Sequence, residues 1–99
     1  MIAFDQLPAL ARKLRPEWEN ATPFSHVVID NFLPKEQAER ASQGFESTTD
    51  GWVFHNHYNE RKYCHSKKAH MSPAILELFS DLESPQWVKF LEEISGIKV

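Results

Sequence analysis

Residues 23–34, PFSHVVIDNFLP, constrain the fold of this chain more than any other stretch. Pro23 stiffens an extended lead-in. His26, Val27, Val28, Ile29 and Asp30 read as a strand. Asn31, Phe32 and Leu33 form a polar-apolar corner. Pro34 then opens a helix, because proline fixes φ and suits the first helical position. The consecutive Val27, Val28 and Ile29 lack alternation, which predicts burial on both faces. Twelve residues thus specify strand, corner and helix.

The remaining elements follow from local signals. Leu7, Leu10 or Ala11, and Leu14 recur at helical spacing. Asp5 is placed to cap that helix, and Pro8 falls in its first turn. Pro16 is expected to end it, since the residue before a proline resists the α region. Residues 17–22 then read as a connector anchored by Trp18. The helix after Pro34 presents Ala38, Ala41 and Phe45 on one stripe, with Gly44 weakening its last turn and a polar turn over residues 47–51. Residues 52–58 alternate and are rich in aromatics, which predicts a second strand. Trp52, Phe54, Asn56 and Tyr58 share one of its faces; Val53, His55 and His57 share the other. Residues 59–70 read as a polar, basic loop or an edge hairpin.

Two later helices open alike. Ser72 and Ser84 supply N-cap hydroxyls, each followed by proline at the first helical position. The first is expected to bury Ile75 or Leu76, Phe79 and Leu82. The second is expected to bury Trp87 or Val88, Leu91 and Ile94. Gly96 stands where a left-handed cap belongs, with Ile97 placed to pack back on the helix end. Lys98 and Val99 read as the first step of another strand. The expected fold is α+β, with about four helices on a small sheet. Residues 1–99 read as a single incomplete domain: an N-terminal helix and connector over 1–22, and a strand-helix-strand-helix-helix region over 23–99.

Charge and cysteine content narrow the function classes. A net charge of -3 with neutral histidines leaves no basic footprint for nucleic acid. No basic amphipathic helix suits an anionic membrane, and no window approaches the roughly 20 apolar residues of a membrane span. Asp5, Arg12, Lys13 and Arg15 interrupt the start, unlike a secretory signal. The single cysteine, Cys64, excludes an internal disulfide and fits a reducing compartment. These features point to a cytoplasmic location.

Four constellations invite chemistry. His55 and His57 are two apart on a strand, so both imidazoles reach one side and could share a metal ion. Cys64, His65 and His70 lie downstream as further donors. Exposed strand faces carry polar rings without metal too, so His55 and His57 are candidates only. Cys64 sits among Lys62, His65, Lys67 and Lys68, whose charge favours a thiolate. A nucleophile also needs an oriented base and an oxyanion site, and this neighbourhood supplies neither. The same lysines could grip a phosphate or acidic partner, though such clusters are more often simply solvated. Glu92 and Glu93 diverge by about 100° on a helix and do not form an acid-base pair. The three glycines are separated, so there is no phosphate-cradling loop.

Several phrases taken together resemble a known family. PFSHVVIDNFLP, a following helix, a Trp-led strand, a lysine-containing loop and LEEISGI resemble the N-terminal part of iron(II)/2-oxoglutarate-dependent oxygenases of the prolyl-hydroxylase-like group. Ser25 stands where members usually have proline, and Ser95 where they usually have threonine. The likeness covers about residues 20–97. It implies the N-terminal support region of a double-stranded β-helix (jelly-roll) enzyme. Such an enzyme holds iron with a His-x-Asp/Glu pair and a distant His, leaving open positions on the metal. It holds 2-oxoglutarate with a basic residue near the last ligand. None of the five histidines here is followed two residues later by Asp or Glu. In the family that motif follows the LEEISGI-like phrase, beyond Val99. No catalytic or cofactor-binding residue is therefore carried over. Iron and 2-oxoglutarate are implied for the full-length protein, and the implied partner is a catalytic core in the same protein or another chain. Two rival readings are a self-standing α+β protein-binding module and a small metal-binding protein using His55 and His57.

Overall fold

A computed structural model describes residues 1–98. It contains helices α1 (Leu7–Asn20), α2 (Lys35–Ser47), α3 (Pro73–Leu82) and α4 (Pro85–Ser95). One antiparallel ribbon is built from β1 (Trp52–His57) and β2 (Glu60–His65). Short 3-10 turns occupy Phe4–Gln6 and Lys68–His70. The chain is α+β with four α-helices and a small two-stranded sheet.

Helix boundaries follow local chemistry where side chains satisfy orphan backbone groups. Ser72 Oγ accepts from the Ile75 amide at 3.4 Å, and Ser84 Oγ accepts from the Trp87 amide at 3.3 Å. Pro73 and Pro85 occupy the first turns. Gly96 closes α4 with φ 74, donating its N–H to the Glu92 carbonyl at 2.8 Å. Pro34 stands one residue earlier than expected, as the N-cap of α2, and its carbonyl accepts from the Ala38 amide at 3.0 Å.

Several expectations are corrected. Pro16 does not end α1, which runs on to Asn20. An interior proline costs about 3 kcal/mol, yet Trp18 packs on the core and Asn20 Nδ2 donates to the Pro16 carbonyl at 2.8 Å. Asp5 does not cap the helix; it lies in the preceding 3-10 turn, and the N-cap is Gln6 without a side-chain bond. Ile97 is 64% exposed and does not fold back on α4. Lys98 is not in a strand, and Val99 lies outside the described residues.

The core joins the two ends of the chain. Ile2, Leu7, Ala11 and Leu14 meet Phe90 and Ile94 of α4. Trp18, Val27, Ile29, Phe32, Leu33, Leu82 and Trp87 pack around them. Phe90 faces inward in place of the expected Leu91, which is 47% exposed. Both positions continue a stripe from Trp87 to Ile94; the aromatic ring wins by stacking on Trp87, with centroids 5.0 Å apart.

The strand expected over residues 26–30 does not form. Residues 26–29 have no regular secondary structure and Asp30 already belongs to a turn; among the described residues no backbone hydrogen bond joins Val27, Val28 or Ile29 to another segment. Val27 and Ile29 are half-buried and Val28 is 74% exposed, so burial is one-sided. An extended run becomes a strand only through a ladder partner, and nothing described here supplies one. Asn31 makes the following corner with φ 54, a left-handed angle that asparagine tolerates.

In α2 the expected stripe is also displaced. Ala38 and Phe45 are exposed, Ala41 is half-buried, and Gly44 is the buried position. Gly44 lies against Ser72 and Ile75, where α2 meets α3. None of Ile75, Leu76, Phe79 and Leu82 of α3 is fully buried. The expected edge hairpin is present, with Trp52 opposite His65, Phe54 opposite Tyr63 and His57 opposite Glu60.

The result is an open body. Its radius of gyration is 16.3 Å, against about 13 Å for a globule of 100 residues. Its accessible surface is 7544 Å², against about 5,800 Å² for a monomer of its mass.

Candidate functional site

The hairpin carries most of the residues that sequence reasoning singled out. Directly opposed residues of an antiparallel pair point to the same face. One face therefore holds Val53, His55, His57, Glu60, Lys62 and Cys64. The other holds Trp52, Phe54, Asn56, Arg61, Tyr63 and His65.

The His55 and His57 rings stand side by side, with centroids 5.9 Å apart. Cys64 is half-buried opposite Val53 on the same face. His65 is on the opposite face, and His70 lies in the 3-10 turn beyond β2. The donors suggested by sequence thus divide between two faces and a turn. The lysine cluster disperses as well. Lys62 pairs with Glu60 at 3.0 Å and Lys68 with Glu83 at 3.3 Å. Glu92 and Glu93 are engaged separately, by Lys98 at 3.7 Å and Lys89 at 3.9 Å.

The aromatic face bounds a groove against α2 and α3. A cavity of about 200 Å³ is lined by Phe45, Trp52, His65, Met71, Ile75 and Phe79, among others. Phe45 and His65 each meet the Trp52 ring edge-to-face, at 5.3 and 5.1 Å. Two of the polar ring atoms turn to the backbone. Trp52 Nε1 donates to the Thr48 carbonyl at 2.9 Å, and His65 Nε2 donates to the Asp50 carbonyl at 2.8 Å. His65 Nδ1 is left buried without a partner. The groove consequently offers mostly carbon surface, suited to docking apolar groups.

Sequence reasoning missed one charged centre. The Met1 amine donates to Asp81 at 2.8 Å and to Glu77 at 3.3 Å, and the Ile2 amide donates to Asp81 at 2.9 Å. The hydrogen bond to Asp81 holds the amine above its ordinary pKa, against the opposing effect of burial. The same bond holds the Asp81 carboxyl below the usual carboxylate range, again against burial. This pair ties the chain start to α3. No local pattern announces it, because its partners are 80 residues apart.

The iron site implied by the resemblance does not fit these residues. His55 and His57 face Lys62 and its partner Glu60, no His-x-Asp/Glu pair exists in the sequence, and no basic residue stands beside a third histidine on that face. Compared with protein-family models, curated proteins and solved structures, the chain shows no significant match.

Proposed function

We propose that this chain is the N-terminal supporting portion of an iron(II)/2-oxoglutarate-dependent dioxygenase and is not catalytic by itself. The observation that carries the reading is the segment over residues 26–30. It is a consecutive apolar run with no ladder partner among the described residues and with Val28 turned to water. A sheet edge from a jelly-roll core would complete it. The surface excess of roughly 1,700 Å² over a monomer of this mass agrees; obligate interfaces bury about 1,000–2,500 Å² per side. In this reading the helices brace the outside of the core, and iron and 2-oxoglutarate bind elsewhere in the full-length, cytoplasmic protein.

The test is succinate formation from 2-oxoglutarate with iron(II). We expect it from a reading frame that continues past Val99 into a His-x-Asp motif, and not from residues 1–99. Turnover by residues 1–99 alone, or a frame ending at Val99, overturns the proposal. The aromatic groove favours a second reading, a protein-binding α+β module. Cooperative melting of residues 1–99 as a monomer that binds no apolar dye would favour a self-contained module.

A further inference from the structure

The register of the hairpin places a carboxylate beside the histidine pair. His55 and His57 share one face of β1, and Glu60 stands directly opposite His57 on β2. Opposed residues have Cβ atoms about 4.5–5.5 Å apart, so an imidazole and a carboxylate arm can meet at one ion. Zinc takes imidazole nitrogen and carboxylate oxygen at about 2.0–2.2 Å, which sets two coordinated rings about 5–6 Å apart between centroids. The observed separation is 5.9 Å, with the rings tilted by 34°.

We propose that His55, His57 and Glu60 form a site for a divalent ion of the zinc type, with water completing the coordination. Two imidazoles and one carboxylate suit zinc, copper, nickel or iron(II) and not calcium or magnesium. The site is not preassembled: among the described residues no three His, Cys, Asp or Glu groups converge on one point. Lys62 lies opposite His55 on this face and holds Glu60 Oε1 at 3.0 Å. The Glu60 side chain is 44% exposed and has room to swing. Metal and Lys62 therefore compete for one carboxylate. A two-stranded ribbon is only marginally stable alone; an ion held by two residues of β1 and one of β2 would pin its turn and register. This site is separate from the iron centre of the proposed oxygenase, and neither depends on the other.

Calorimetric titration of the full chain with zinc tests the assignment, with cobalt absorption reporting coordination and circular dichroism reporting fold. We expect one ion per chain. His55→Ala and His57→Ala should each weaken binding at least about tenfold, because even outer-shell changes cost 10–100-fold. Amide exchange in β1 and β2 should slow when zinc binds. Glu60→Gln and Lys62→Gln are decisive: the first should weaken binding several-fold and the second should tighten it. Any other combination from that pair, or no uptake above that of the His55→Ala/His57→Ala double variant, overturns the proposal.

Discussion

Replacing Gly44 with alanine measures how closely α2 and α3 approach. In an unconstrained helix interior this change stabilises by about 1 kcal/mol. Here a Cβ on Gly44 would overlap Ser72 Oγ and would lie 3.3 Å from Ser72 Cβ and 3.4 Å from Ile75 Cγ1. Ser72 is the N-cap of α3. Rotating its hydroxyl away forfeits the bond to the Ile75 amide, which costs about 1 kcal/mol. The two remaining tight contacts add about 1–2 kcal/mol of overpacking. The sum predicts a net loss of about 1–2 kcal/mol, or a fall in Tm of about 5–10 °C for a domain of this size. The check is thermal and urea unfolding followed by circular dichroism. Ser72→Ala removes the overlapping atom, so Gly44→Ala should be nearly neutral in that background, giving a coupling of about 1 kcal/mol or more. A higher Tm for Gly44→Ala alone, or an equal cost in both backgrounds, would refute the argument.

Three further outcomes are expected. Phe90→Ala should cost about 3–5 kcal/mol, whereas Leu91→Ala, at a position 47% exposed, should change urea stability by much less; comparable losses would place the wrong face of α4 inward. Pro16→Ala should raise stability by about 2–2.5 kcal/mol, the helix-propensity gain less the entropy returned to the unfolded chain. The Met1–Asp81 pair sets both limbs of a pH profile. Its contribution is lost as pH falls through the depressed Asp81 pKa, below the ordinary carboxylate range, and as pH rises above about 8 through the raised amine pKa. Asp81→Asn should cost about 1–3 kcal/mol near neutrality and flatten the alkaline limb; a Tm profile unchanged by the substitution would remove the pair from the account.

What could be read before the fold was known is what local chemistry decides. The two Ser-Pro starts and the Gly96 stop are satisfied within a few residues of themselves, so sequence carries them. The hairpin was legible through alternation, and the shared face of His55 and His57 through the two-residue period. Glu60 was not legible as their neighbour, because register exists only after two strands pair. The same reason accounts for residues 26–30: an apolar run is read locally, but a ladder is not. Pro16 and Phe90 depended on tertiary packing, through Trp18 in one case and Trp87 in the other. Asp81 has no local signature, since its partners are the first two residues.

The arrangement of the core has a consequence for how this protein folds. Among the described residues, the six buried core side chains lie either in residues 1–14 or in α4. Bringing those ends together closes a loop of some 75 residues, at an entropic cost of about 4 kcal/mol in the simplest polymer estimate. On the ribosome, Leu7, Ala11 and Leu14 have no partners until Phe90 and Ile94 are made, roughly 4–16 seconds later at ordinary synthesis rates. The hairpin and the Ser-Pro helices can form meanwhile from neighbouring residues. Helix α1 is thus among the last of these elements to be satisfied.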